Sequence, residues 1–442
     1  MKILFVSLGC DKNLVDSERM LGMLAEKGFT FTDDENQADI VVVNTCCFIG
    51  DAKEESINTL LQMSQLKEEG RIQVLIAAGC LAQRYREEIQ KEIPQVDAVI
   101  GTMAIADIAD AVEKALGGKA RNYYEDINAR PVAGGKRVVT TGGHFAYLKI
   151  AEGCDKHCTY CIIPKVRGSY RSIPMESLLK EAEQLAEEGV KELILVAQET
   201  TLYGVDLYGK KTLPTLLERL AEIDGISWIR LLYCYPEEIT DELVQVIATQ
   251  PKVCHYLDIP IQHASDSILR RMGRKTNKKE LEGQIKKLRE KIPDICLRTT
   301  LISGFPGETQ EDFEELYRFV NEMEFDRLGV FAYSQEEDTP AAVMPDQVEE
   351  SVKEARRDEL MELQQEIAFE KAEAMVGRIL TVMIEGKVAD EDVYVGRTYK
   401  DAPGVDGYLF VNTSASLMTG DFVKVQVTGS NEYDLIGEIY HA

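Results

Sequence analysis

HFAYLKIAEGCDKHCTYC, residues 144–161, runs from a short apolar segment straight into three cysteines spaced C-x3-C-x2-C. Residues 147–150 have the length and texture of a buried strand. A loop that follows a strand of a βα barrel lies at the carboxyl end, where active sites of that architecture collect. Three thiolates on one loop, Cys154, Cys158 and Cys161, match three irons of a cubane cluster and leave the fourth iron open. Zinc is the competing reading. It generally takes four ligands, and His157 is the only nearby candidate for the fourth.

Outward from this loop, βα alternation continues toward the C-terminus. Strands are expected at 147–150, 193–197, 228–232, 256–260, 297–302 and 328–332, with helices between them, for example at 175–188 and 310–323. Six units are too few for a closed eight-stranded barrel, so residues 144–345 are expected to form an open, partial barrel. Toward the N-terminus, residues 121–143 carry Pro and two Gly-Gly pairs without a sustained period and read as a linker. Residues 1–120 alternate strands (3–6, 40–43, 74–77 and 98–100) with helices (16–27, 52–68 and 84–92), a doubly wound α/β pattern. Beyond the barrel, Asp346 and Glu349 suggest a capping box opening a connecting helix over 346–375, with Val348, Val352, Leu360, Leu363 and Ile367 near one face. Short alternating strands separated by glycines then predict a small β-barrel over 376–442.

The bulk numbers agree with two to four domains: 442 residues, 45% hydrophobic and 29% charged. No apolar run approaches the ~20 residues that span a bilayer. The opening MKILFVSLGCDKN has a short apolar core followed by Asp11-Lys12, which reads as a first strand and not as a signal peptide, so a cytoplasmic location is expected with no membrane partner. Fifty Lys+Arg against 76 Asp+Glu give a formal net charge of −26. Such a chain is a poor non-specific nucleic-acid binder and is suited to a basic partner protein.

Ten cysteines in a cytoplasmic chain argue for ligands and core thiols, not a disulfide framework. Cys10, Cys46 and Cys80 each terminate an expected strand of the first domain. The crevice outside the carboxyl strand ends of an open α/β sheet is its binding site, so these three are expected to converge on a second centre. Cys47, Cys234, Cys254 and Cys296 lack ligand-like spacing and are expected to be incidental or core thiols.

C-x3-C-x2-C with an aromatic residue before the last cysteine resembles the signature of the radical S-adenosylmethionine superfamily, which implies that Tyr160 stacks near the adenine. The opening SLGCDKNLVDSE (7–18), Asn44-Thr45-Cys46 and Gly79-Cys80 resemble motifs of the methylthiotransferase family, and the likeness runs through essentially the whole chain. That resemblance implies an N-terminal cluster-binding domain, a radical S-adenosylmethionine barrel and a C-terminal TRAM domain. It also implies two [4Fe-4S] clusters, one on Cys10, Cys46 and Cys80 and one on Cys154, Cys158 and Cys161, with S-adenosylmethionine as both radical source and methyl donor.

The wording of residues 7–18, 144–154 and 197–209 is similar to the RimO branch of the family, which acts on small-subunit ribosomal protein S-12. The tRNA branch more often reads Gln-Met-Asn where this chain has Asp11-Lys12-Asn13. Residues 371–442 hold eleven Asp+Glu against six Lys+Arg, and a module gripping tRNA phosphates should be basic. The branch implies methylthiolation of the β-carbon of an aspartate in S-12, free or within the small subunit, with a low-potential electron donor and a sulfur donor as further partners. Direct tRNA binding is not expected. By position, Gln198, Glu199 and Thr200 are placed to meet the methionine or ribose moiety of S-adenosylmethionine. Arg298 and the 303–307 turn with Gly304 are placed to meet its adenosine, and Gln262 and His263 face the same mouth; a salt bridge in the barrel wall is the other reading of Arg298, and core packing that of His263. A tRNA-adenosine methylthiotransferase and an iron–sulfur electron carrier are the rival readings.

Overall fold

The strands Ile40–Thr45 and Val74–Gly79 are buried at every position, which is what a parallel strand covered on both faces requires. In the computed structural model, which describes residues 1–441, they are the centre of a five-stranded parallel sheet. Its order is Thr30–Thr32, Lys2–Ser7, Ile40–Thr45, Val74–Gly79, Ala98–Ile100. Alternate side chains serve opposite faces. Val41, Val43, Leu75, Ala77 and Val99 pack on one side, and Ile40, Val42, Val74, Ile76 and Ile100 on the other. This is the doubly wound domain, its order that of a flavodoxin-like sheet.

Several local expectations are corrected. The edge strand Thr30–Thr32 has no apolar run and was not expected from its sequence. The first helix spans Asp11–Glu26 and starts directly after Cys10. The segment expected as one helix over 84–92 is two, Cys80–Tyr85 and Glu87–Glu92, broken where Arg86 takes φ +48°. Residues 132–140 are not a loose linker. They cross the first helix as a strap, with Val138 N–H donating to the Glu18 carbonyl at 3.1 Å. Gly22 is required at that crossing, because a Cβ there would overlap the Lys136 carbonyl. Arg137 in the strap pairs with Glu18 and, at 3.1 Å, with Glu181 of the barrel.

The second domain is an open sheet of six parallel strands: Phe145–Lys149, Glu192–Val196, Trp228–Leu231, Val253–Asp258, Cys296–Ser303 and Arg327–Ala332, hydrogen-bonded in sequence order. The helices cover its outer face through a core that includes Leu193, Leu195, Leu257, Leu297, Leu316 and Phe319. Cys234 joins that outer core, whereas Cys254 and Cys296 face inward with Ile194, Val196, Trp228 and Tyr256. A helix Glu350–Glu373 follows. Its N-cap is Glu349 without a side-chain bond, so the expected capping box is absent. Asp346 sits four residues before the first helical residue, at φ +62°. Leu360, Leu363 and Ile367 are buried as expected, while Val348 precedes the helix and Val352 is exposed.

The C-terminal strands Ile379–Lys387, Val393–Arg397, Leu409–Asn412, Asp434–Ile439 and Phe422–Asn431 close into a five-stranded barrel. Ala442, the last residue expected in it, lies outside the described residues. This small barrel docks on the strand-start end of the open barrel. Met383 and Ala402 enter the inward-facing cluster, and Arg397, fully buried, pairs with Glu192 at 2.7 Å, which also takes Arg230 at 2.7 Å. The site is thereby left at the opposite, carboxyl end. No helix among the described residues is long and apolar enough to cross a membrane.

Candidate active site

Strand register brings the first three cysteines together. Ser7 lies opposite Asn44, and Thr45 opposite Gly79, so the residues just beyond each strand are neighbours. Two glycines permit the close approach. Gly9, at φ +86°, lies so near Cys46 that a Cβ would sit 2.8 Å from its sulfur, and Gly79, at φ +91°, presses on the Thr45 backbone. Cys46 and Cys80 are buried and Cys10 is exposed. Burial, and then the neighbouring Cys80 and Cys10, push the Cys46 thiol up to about 12, and burial raises the Cys80 thiol as well.

The second set sits on the loop after Phe145–Lys149, and that loop is pinned. Cys154 N–H donates to the Gly168 carbonyl at 3.1 Å, Thr159 N–H to Met272 at 2.9 Å, and Ala341 N–H to Thr159 at 2.9 Å. Burial pushes the Cys154 thiol up to about 12 and raises that of Cys161, with Cys158 adding to both. Arg274 places a guanidinium nitrogen 3.9 Å from the Cys158 sulfur, and the Tyr235 phenol lies 3.6 Å from it. His157 is exposed.

Buried thiols whose mutual proximity opposes ionisation stay protonated by themselves and become thiolate ligands only beside a cation. Among the described residues, no three His, Cys, Asp or Glu side chains close on one point as the ligands of a single metal ion do. Two sets of three soft thiols, each without an imidazole, fit a multi-iron group that spreads its ligands over separate irons, and not a zinc site.

A buried charge network runs from Cys80 of the first set to Glu152, two residues before Cys154 of the second. Arg167 follows the second cysteine loop and is 1% exposed. It donates through Nε to the Cys80 sulfur at 3.4 Å and through its two terminal nitrogens to Asn13 Oδ1 at 2.9 Å and Asp16 at 2.6 Å, and lies 3.2 Å from Glu152. Lys149 pairs with Asp16 and, at 2.7 Å, with Glu152. Despite burial, Arg167 and Lys149 hold the Glu152 carboxyl well below the usual carboxylate range.

The other expected contacts divide. Gln198 donates to Glu152 at 2.9 Å, leaving its amide oxygen buried without a partner. Glu199 is fully buried beside the second cysteine set. Thr201 donates to one of its oxygens, and the other has no hydrogen-bond partner, with Lys156 at 3.9 Å. Burial outweighs these contacts and pushes Glu199 up to about 7. Tyr160 stands edge-on to Phe305 in the small cluster beside the loop. Thr200 instead spends its hydroxyl on the Leu232 carbonyl at 2.8 Å. Arg298 is paired with Asp258 at 2.9 Å and lies 3.6 Å from Asp406 of the small barrel. Gly304, at φ +68°, accommodates the Lys353 side chain. His263 is buried, accepting from Ser265 N–H at 2.9 Å with Glu308 at 3.3 Å. A crevice of about 700 Å³ between the barrel and the small C-terminal barrel, lined in part by Trp228, Val253 and Lys371, lies at the strand-start end, away from both cysteine sets.

Asp16, Lys149, Arg167, Tyr233, Tyr235 and Arg274 were not singled out by sequence, and Lys12 was named only within the Asp11-Lys12-Asn13 stretch, without a role in the site. Lys149 and Glu152 carried a readable signal, since two charges flank Ile150-Ala151 within an otherwise apolar strand and its extension.

Three family models match the chain: Uncharacterized protein family UPF0004 over residues 2–101, Radical SAM superfamily over 148–320 and TRAM domain over 376–439. A protein named "Ribosomal protein uS12 methylthiotransferase RimO" from Lachnoclostridium phytofermentans is 63% identical over 99% of both chains. Proteins of the same name from Desulfitobacterium hafniense (51%, 99% of this chain and 98% of that one) and Clostridioides difficile (49%, 100% and 99%) agree. Among solved structures, the radical S-adenosylmethionine methyltransferase TsrM from Kitasatospora setae, with cobalamin and a [4Fe-4S] cluster bound, has a TM-score of 0.55. It is 13% identical, over 77% of this chain and 74% of that one. The cobalamin-dependent S-adenosylmethionine radical enzyme OxsB has a TM-score of 0.52 at 14% identity, over 83% and 56%. At that identity the two structures bear on the fold alone. Near-full-length identity to the named relatives and the three matched regions lead to one conclusion: the chain belongs to the RimO family of radical S-adenosylmethionine methylthiotransferases.

Proposed function

We propose that this enzyme methylthiolates the β-carbon of an aspartyl residue in small-subunit ribosomal protein S-12, in the cytoplasm. In this reading Cys154, Cys158 and Cys161 hold one [4Fe-4S] cluster, and Cys10, Cys46 and Cys80 hold a second. Bound clusters and S-adenosylmethionine supply what no side chain can: a low-potential electron, a carbon radical able to take hydrogen from an unactivated C–H bond, and a site for the incoming sulfur.

The chain's own residues bind, orient and shield. Glu199, with a free buried oxygen, receives the ammonium of the methionine moiety, and Gln198 turns its free amide oxygen to the same ligand. Tyr160 flanks the adenine. Arg274 and Arg167 offset negative charge at Cys158 and Cys80 respectively. Thr200 and Gly304 shape the wall. Arg298 acts at one remove, by anchoring the small barrel through Asp406. The observation that carries the reading is the pair of three-thiol sets, contributed by two domains, with one buried guanidinium, Arg167, bridging Cys80 of the first set to Glu152, two residues before Cys154 of the second.

Iron content and Mössbauer spectra of the anaerobically reconstituted protein test it. The natural chain should carry two clusters, and triple alanine replacement of either cysteine set should remove about half of the iron. Full iron retained after replacing Cys10, Cys46 and Cys80 would contradict the two-centre reading.

A further inference from the structure

One loop of the barrel spans the gap between the cysteine sets. Tyr233 and Tyr235 follow the strand Trp228–Leu231. The Tyr235 phenol lies 3.6 Å from the Cys158 sulfur, and the Tyr233 phenol donates to Asp11, next to Cys10, at 3.2 Å. Tyr233 sits at φ +60°, a left-handed conformation that a tyrosine keeps only where its contacts impose it.

Beneath that ring lies a charged pair. The Lys12 ammonium is 3.2 Å from the Tyr233 ring centroid and 3.0 Å from one Asp11 oxygen, and both side chains are 8% exposed. The other Asp11 oxygen is buried and accepts no hydrogen bond. An ammonium has three donors, and no carboxylate besides Asp11 pairs with this one among the described residues. A buried acceptor left unmade and a buried cation with a single carboxylate are both costly unless a ligand completes them. The ligand that answers both carries a carboxylate and a nearby N–H donor. An aspartyl residue within a peptide has both, whereas a neutral nucleobase offers the ammonium no opposite charge.

We propose that Lys12 and Asp11 are the substrate-selecting clamp of this enzyme: Lys12 binds the carboxylate of the target aspartyl side chain, and the free Asp11 oxygen accepts an N–H of its peptide. The clamp rests on the proposed S-12 substrate and specifies how that substrate is chosen. A carboxylate held beside Cys10, under the loop that reaches Cys158, keeps the adjacent carbon between the two sets. Lys12 is thus a binding and positioning residue, and its charge is the property that matters.

Peptide binding to the reconstituted holoenzyme tests the clamp. Two labelled peptides from the S-12 loop are compared by fluorescence anisotropy, one with the target aspartate and one with asparagine in its place, and the aspartyl peptide is also analysed for a methylthio group. The natural enzyme should bind the aspartyl peptide roughly tenfold tighter or more, the scale of a charge-assisted contact. Lys12→Met should erase the preference at undiminished iron content, and Lys12→Arg should retain it. A preference that survives Lys12→Met overturns the clamp and leaves the S-12 reading standing. Equal binding of both peptides by a natural enzyme that still methylthiolates does the same, and this comparison decides the matter even if Lys12→Met fails to load iron. Failure of the natural enzyme both to bind and to modify the aspartyl peptide overturns the substrate reading, and the clamp with it.

Discussion

Glu199 keeps a carboxyl group where no water reaches it, with a pKa raised to about 7 against an ordinary value of 4.5. Below pH ~4.5 it is protonated in both folded and unfolded chains. Between ~4.5 and ~7 the unfolded chain releases the proton and the folded one keeps it, so stability falls as pH rises through that window. The shift corresponds to about 3 kcal/mol. Glu199→Gln, which cannot ionise, should therefore stabilise the cofactor-free protein in urea unfolding at pH 8 by an amount of that order and leave it unchanged at pH 4.5. A variant no more stable at pH 8 would show that Lys156 already meets the charge. At this scale the sequence announced the cysteines, because their spacing is their chemistry, and it announced neither Arg167 nor the burial of Lys12. A buried cation and a solvated one are written with the same letter. Only the fold shows that Arg167 is 1% exposed and that Arg219 lies open to water.

Elements carried by apolar runs were legible, whether buried at every position, as Ile40–Thr45, or at alternate ones, as Cys296–Ser303: all six barrel strands and four of the five strands of the first sheet follow such runs. The edge strand Thr30–Thr32 shows no such run, since its residues are exposed or half-buried and its pairing comes from the neighbouring strand Lys2–Ser7. The 132–140 strap was read as a linker because glycine and proline dominate the local signal. Its order comes from distant partners, Glu18 and Glu181, and from the clearance at Gly22. The short helix Ile163–Arg167 illustrates what an element owes to such contacts, for it ends on the cation that balances Asp16 and Glu152. Arg167→Leu should cost about 3–5 kcal/mol in chemical unfolding, because it leaves two buried carboxylates with Lys149 alone. Arg219→Leu, which breaks an exposed pair with Glu222, should cost less than about 1 kcal/mol. Equal effects would mean that the buried network contributes no more than a surface pair.

At the scale of the whole molecule, the three parts divide the work by position. The first sheet and the open barrel each present carboxyl strand ends, and each carries its cysteine set there. The small barrel closes the other end, held by the fully buried Arg230–Glu192–Arg397 triad. Its docked side is read from inward-facing residues that sequence could list as core but could not assign to a partner. Its acidic balance, like the net charge of −26, opposes a polyanionic substrate and suits a basic ribosomal protein. The direct measurement is a competition: the reconstituted enzyme, a reductant, a sulfide source and S-adenosylmethionine with an isotope-labelled methyl group, incubated with S-12 and tRNA together and followed by mass spectrometry of both. The account predicts labelled methylthio on an aspartyl residue of S-12 and none on tRNA. Label on tRNA adenosine with unmodified S-12 would contradict it.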